Sequence, residues 1–460
     1  MWNNLIVNYR KFIPPQLREK LSKIYQLLPD CLKMSISPKS HDIKKYYPAI
    51  LSQIKPLAVL KEHKVALKCL LDTFKITNVR GELLGPELWS DFLQAISQND
   101  EDGKKFQNSL SLRLADIPGH RLEYWEWLNI TKLFYKFGLF HLGYMLRIKA
   151  RESAVFAIKN KSISDCKVFF KKCLAALIES NEWHLLRKYK EIDFLSSQER
   201  ESFLFWDKLI HGDSASESFF KSKADHDFAE FVRDKRIAFV GPSRTKIKSA
   251  SEIESFDIVA RCNYKEPLDE EDLQVKGLRC DISYFNNTQT LFLCKRKLFE
   301  FPKKVKFAIF RSYESLRIFR SRFGKKTLTR LSINPTSSIF SGSLNGIPNA
   351  LTDLLRFNTG QIKVFHTDLM LTVERSSGYG TPEESARPIE IFLSSCAGAH
   401  DPLTQFVFLK LMHRTGRIVG DKPFERLMKM SEGAYMKKLQ NIYGNFARVL
   451  PASNAKLFRV

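Results

Sequence analysis

The chain has 460 residues, 44% of them hydrophobic and 12% aromatic, including 36 Phe. That composition excludes a disordered polypeptide, and the length exceeds one ordinary core, so two packed domains are expected. A formal charge of +24 points to an anionic partner: nucleic acid, anionic lipid, or a phosphorylated or acidic substrate, among which charge alone does not choose.

In chain order, the opening MWNNLIVNYRKFIPPQ lacks the charged start, apolar block and small-residue cleavage site of a signal peptide. No run of about 18 apolar residues predicts a membrane span. Residues 15–34 place Leu17, Leu21, Ile24, Tyr25, Leu28 and Leu32 at helical spacing with Arg and Lys between them. This predicts a basic amphipathic helix packed on its own domain, with an anionic membrane surface as the alternative. Residues 1–230 read as an all-α domain of helical hairpins, with apolar residues three and four apart. Val168, Phe169, Cys173, Leu174, Leu177 and Ile178 share one such face. Domains of this kind more often hold a partner than perform chemistry. The eight cysteines form no C-x-x-C and no zinc-finger spacing, and read as reduced thiols.

Near Asp234 the pattern changes. Short apolar runs at 236–240, 256–261, 280–285, 305–310 and 361–365 predict strands, with a helix at 345–357. The expectation for residues 231–460 is an α/β domain with a mainly parallel, Rossmann-like sheet and ligands at the carboxyl ends of the strands. The lysine-rich run 295–306 and the arginine-rich run 311–330 read as solvated faces. The Asp-x-Asp at 100–102 and the acidic run 269–272 read as solvated loops, so no metal site is expected.

Four stretches carry candidate chemistry. Val240-Gly241-Pro242-Ser243 ends a strand in a turn whose backbone can approach a phosphate or ribose, and it matches neither G-x-G-x-x-G nor a Walker loop. Arg261-Cys262-Asn263 and Tyr284-Phe285-Asn286 end two more strands in asparagine, whose amide offers both a donor and an acceptor to a sugar edge. Ser341-Gly342 opens a helix, whose free amides suit a phosphate, and the next strand runs into His366-Thr367-Asp368. Gly398-Ala399-His400-Asp401-Pro402 precedes a further helix.

In order and spacing these stretches resemble the motifs of bacterial sialyltransferases, over about residues 235–420. The resemblance implies a sialyltransferase-like variant of the GT-A fold. It implies a CMP-activated sugar donor and inverting transfer without metal or other cofactor. Gly241, Pro242, Ser243, Asn263, Asn286, Ser341, Gly342 and Asp368 would hold nucleotide and sugar, and His400 would be the base. The partner would be a glycan or lipid-linked glycan of a bacterial surface polysaccharide, and no nucleic acid is expected. The place would be the cytoplasm, with peripheral contact to the inner face of the membrane. Transfer of Kdo from CMP-Kdo is the alternative within the class; a non-catalytic glycan- or nucleic-acid-binding scaffold is the alternative outside it. The chain departs from the family at Pro242, where relatives carry asparagine, and at Leu369 and Met370, where bacterial relatives carry phosphate-holding tyrosines. Tyr379, Arg375 or a lysine are the candidates to replace them. His366 and His413 read as structural, Asp257 as fixing a backbone turn, and Cys262 as a small buried residue.

Overall fold

A computed structural model describes residues 118–160, 167–188, 195–211, 222–264, 270–295, 305–324, 327–333, 335–375 and 386–444, with Tyr379 and scattered positions in 107–115. These belong almost wholly to one compact unit, Ile117–Val460. The segment 15–34, the loop 100–102, Cys31, Cys69, Cys166 and most of the lysine-rich run lie outside the described residues.

The unit begins with helices. The first is α1 (Tyr124–Lys136), where Glu123 and Glu126 close a reciprocal capping box. Then come α2 (Phe140–Asn160), α3 (Lys167–Glu179), α4 (Trp183–Lys188), α5 (Ser197–His211) and α6 (Lys223–Val232). The helical reading of this part of the chain therefore holds for the described residues. Yet α2 buries charge as well as apolar surface. Arg147 Nη2 lies 2.6 Å from Glu179 and its Nε 2.9 Å from Asp401, while Arg151 Nε lies 3.2 Å from the same Glu179. Buried charges persist only when paired. Here the pairing crosses residue 230 and ties α2 and α3 to the loop that carries His400.

The sheet has seven strands, all parallel: β1 (Ile237–Val240), β2 (Ile258–Cys262), β3 (Ile282–Phe285), β4 (Phe307–Phe310), β5 (Leu328–Leu331), β6 (Ile362–Phe365) and β7 (Ile418–Gly420), in the order β5-β4-β3-β2-β1-β6-β7. Strands β1 to β4 are buried at every residue, as expected of a parallel sheet covered on both faces. The connecting helices are α7 (Ala250–Glu254), α8 (Glu270–Lys276), α9 (Asn287–Lys295), α10 (Tyr313–Phe323) and α11 (Gly346–Leu354). After β6 come α12 (Pro388–Ala397) and α13 (Pro402–Arg414), and after β7 come α14 (Lys422–Met428) and α15 (Glu432–Tyr443). On one face Ala238, Val240, Val259 and Phe365 pack with Ile253 and Phe256, and Phe285, Ala308 and Phe310 pack with Leu293, Leu316 and Phe319. On the other, Phe228 of α6 meets Phe307 and Phe357 edge-on, at 5.0 and 4.9 Å.

Five of the seven strands fall within two residues of their expected positions. The other two, β5 and β7, are edge strands, and β5 overlaps the end of the run read as a solvated arginine face. That reading is corrected at Arg330, which is buried, stacks on Phe228 at 4.6 Å and pairs with Asp353 and, at 3.1 Å, Asp225. Asp272, read as a solvated loop residue, is also buried, 3.7 Å from Lys276. Asp257 accepts the Arg236 N–H at 2.8 Å, which bridges the starts of β1 and β2 rather than fixing a local turn.

Because all strands run the same way, their carboxyl ends share one edge, and the chain reverses its direction of sheet growth between β1 and β6. A crevice beyond that reversal is where open α/β sheets bind ligands.

Candidate functional site

The residues following β1 and β6 form one corner of this edge. The Gly241 N–H donates to the Phe365 carbonyl at 2.8 Å, and the Ser243 N–H to the His366 carbonyl at 3.1 Å. The two turns approach so closely that a Cβ at position 241 would stand 2.2 Å from Thr367 Oγ1 and 2.5 Å from the His366 carbonyl, which explains the glycine. The Ser243 hydroxyl donates to Asp368 at 2.6 Å, and Arg375 Nη1 lies 3.2 Å from the same carboxylate. Met370 N–H and the Thr372 hydroxyl also donate to it. Ser243, Asp368 and Arg375 thus satisfy one another.

Leu369 and Met370 have φ of 48° and 73°, a costly backbone for bulky side chains. Their carbonyls are held by the hydroxyls of Tyr435 and Tyr443, each at 2.8 Å. Beneath the corner, Lys276 Nζ lies 3.4 Å from the Gly241 carbonyl, and burial pushes its pKa down to about 8. His366 is buried there too. Burial, then the nearby Lys276 and Arg261, push its imidazole down to about 3, so it is neutral.

A second corner is built from the ends of β2, β3 and β4 and the start of α11. Asn263 has φ 53°, a left-handed conformation that asparagine tolerates. Its Oδ1 accepts the Asn286 N–H at 3.2 Å, and Asn286 Oδ1 accepts the Gln289 N–H at 2.7 Å, capping α9. Only an amide oxygen can accept from a backbone N–H, so both Nδ2 groups are left over. Neither makes a hydrogen bond among the described residues.

Gly342, with φ 67°, lets the loop before α11 press against the loop before α13. The Ser343 N–H donates to the Ala399 carbonyl at 2.7 Å, and Gln405 joins the two loops. It accepts the Asn345 N–H at 2.7 Å and donates to the Ser343 carbonyl at 2.9 Å. Asn345 stands at the N-cap of α11 without capping it, and its Oδ1 lacks a partner. The Tyr379 hydroxyl and the Cys262 thiol flank Gly346, at 3.7 and 3.4 Å from where its Cβ would be. Burial pushes that thiol up to about 12, so it is a neutral S–H.

His400 belongs to this corner. Its Nδ1 lies 3.1 Å from the Ser343 carbonyl. A carbonyl only accepts, so Nδ1 carries the proton and Nε2 keeps its lone pair. Burial lowers the pKa below the usual 6.5, with the Ser343 hydrogen bond opposing and Arg311 reinforcing that shift. The ring is therefore a neutral base at pH 7, its Nε2 unengaged among the described residues.

Of the residues singled out in the sequence, Asn263 and Asn286 meet each other. Ser341 and Gly342 do not open α11, which starts at Gly346, but lie in the loop before it. There Gly342 meets the His400 loop, and the Ser341 carbonyl accepts from Thr404 of α13. Gly241, Pro242, Ser243 and Asp368 gather at the first corner, and Ser243 and Asp368 share no hydrogen bond or ion pair with His400. Sequence reasoning missed Gln405 and Arg311. The signal for Arg311 was its position: it directly follows β4, as Asn263 and Asn286 directly follow β2 and β3. Among the described residues, no group of three His, Cys, Asp or Glu is placed to hold a metal ion, the five described cysteines are free, and no helix is long and apolar enough to cross a membrane. No protein-family model matches the chain, and no curated protein matches it significantly.

Proposed function

We propose that the chain is an inverting glycosyltransferase that moves sialic acid, or a related 2-keto acid sugar, from a CMP-activated donor to a glycan acceptor. The observation that carries the reading is His400. It is a neutral imidazole with its tautomer fixed by the Ser343 carbonyl, in the loop packed against the one leading into α11, and two asparagines with spare amide donors end the neighbouring strands. The order of those motifs and the Rossmann-like sheet support the same reading.

In this mechanism Asn263 and Asn286 donate through Nδ2 to oxygens of the donor, and the α11 amides face its phosphate. The acceptor hydroxyl attacks the anomeric carbon and gives its proton to His400 Nε2 as the new glycosidic C–O bond forms. The C–O bond to phosphate breaks, and CMP departs with that electron pair, stabilised by fixed hydrogen-bond donors. A single displacement inverts the anomeric centre. The leaving group is one phosphate rather than a diphosphate, so the step calls for no divalent ion. Acceptors of bacterial surface polysaccharide synthesis fit the chain's positive charge.

Calorimetric titration with CMP tests the first half of the reading. Hydrolysis of CMP-sialic acid and CMP-Kdo with EDTA present, in wild type and His400→Ala, tests the second. Absence of CMP affinity would sink it. CMP binding with no turnover of either donor would instead identify a non-catalytic relative.

A further inference from the structure

Several buried or half-buried arginines of this unit have found counter-charges or carbonyls, and Arg356 stacks on Phe205 at 4.4 Å. Arg147 meets Glu179 and Asp401, Arg330 meets Asp225 and Asp353, and Arg375 meets Asp368. Arg261 donates to the carbonyls of Lys276, Gly277 and Arg279. Arg311 differs. It is half-buried, yet it makes one hydrogen bond, from Nη2 to the Leu344 carbonyl at 2.8 Å. No carboxylate among the described residues lies within ion-pair distance. A guanidinium has five N–H donors, so most of them are unused, and none of its unbonded nitrogens is sealed from solvent.

Among the described residues the surroundings add no negative charge. Arg311 interacts electrostatically with Cys262, a neutral thiol, and with His400, a neutral imidazole. Beside it, the loop residues 344–345 lead into the uncapped start of α11, whose free amides are the positive end of a helix dipole. Asn263 and Asn286 contribute two more unused donors. A half-buried cation held by a single carbonyl, with no carboxylate partner among the described residues, is costly for the free protein.

We infer that Arg311 anchors an oxyanion of the ligand, the carboxylate or the phosphate of the donor, beside the base His400. The planar fork matches two oxygens of either group at once, which lysine does not. The identity of the ligand rests on the proposed glycosyl transfer; the anion site itself does not. The site would make the enzyme selective for acidic donor sugars if the anion is the carboxylate.

The test compares wild type with Arg311→Gln and Arg311→Lys. Orthophosphate binding is followed by ³¹P line broadening, and cytidine, CMP and CMP-sialic acid binding by calorimetry. Arg311→Gln is expected to weaken the anchored anion by about ten- to a hundredfold, with partial recovery in Arg311→Lys. Loss for CMP but not cytidine assigns the phosphate. Loss for CMP-sialic acid but not CMP assigns the carboxylate. The melting temperature of Arg311→Gln is expected to hold or rise, because an unpaired charge is removed. Equal affinities in wild type and Arg311→Gln for every anion, or no anion bound by wild type, overturn the inference. So does a lower melting temperature with unchanged affinities, the mark of a structural arginine. Arg311-dependent phosphate binding without CMP affinity would leave the anion site standing and remove the glycosyltransferase reading.

Discussion

The two corners of the carboxyl edge use the same kinds of residue to opposite ends. At the β1/β6 corner, Ser243, Asp368, Arg375 and Thr372 consume one another's hydrogen-bonding capacity. At the β2–β4 corner, Asn263, Asn286, Asn345, Arg311 and His400 each keep a donor or acceptor unused among the described residues. A saturated polar network rigidifies a fold, whereas unused polar groups at a ligand-binding edge are costly without a ligand. The first corner thus holds the turns in place, and the second is where recognition and proton transfer are expected.

The sharpest way to break this comparison is His400→Ala, which should lower kcat by roughly 10²- to 10⁴-fold while leaving CMP affinity unchanged in calorimetry. Unaltered turnover would return the base to another residue. Next comes the brace behind that corner. Arg147→Met removes the counter-charge of buried Asp401 and leaves buried Glu179 with Arg151 alone, and should cost about 3–5 kcal/mol in urea unfolding. At the saturated corner, Gly241→Ala forces a Cβ against Thr367 and the His366 carbonyl and should cost about 1–3 kcal/mol.

Asp368→Asn should likewise lose about 1–3 kcal/mol of stability, with the donor KM moving by less than about threefold. A large KM change with intact stability would move the site to this corner and reverse the comparison.

The two histidines give the smallest and most specific signals. His400 is active when neutral and its pKa is lowered by burial, so kcat should fall on acidification through an apparent pKa below 6.5. His366 acts on stability instead. Its native pKa is about 3, against 6.5 when unfolded, so the unfolded state binds the extra proton between those values. Its contribution is present above pH 6.5 and is lost progressively as pH falls toward 3. His366→Asn, which tolerates the φ of 51°, should flatten that part of the urea-midpoint profile.

Much of the architecture was legible in the sequence. The runs ending at Val240, Cys262, Phe285, Phe310 and Phe365 are apolar because a parallel sheet buries both faces of its inner strands, and burial on both faces leaves a continuous signature. Strand β5 escaped notice because Leu328 and Leu331 are exposed on an edge and Arg330 reads as surface until Asp353 is set beside it. Strand β7 is three residues long and too short to announce itself. The asparagines at the ends of β2 and β3 and His400 were visible as residue types following strands or preceding helices.

What only the tertiary structure decided is which polar groups are spent and which are spare. Ser243 and Asp368 lie 125 positions apart and cancel each other across the β1/β6 corner. Ser343 and His400 lie 57 apart, and their contact fixes which ring nitrogen is the base. Arg311 looked like one more surface arginine, because nothing local reveals that it is half-buried and that no carboxylate among the described residues pairs with it. Composition and periodicity reflect burial averaged along the chain. The pairing of individual donors and acceptors depends on contacts between distant segments, and that pairing separates a brace from a site.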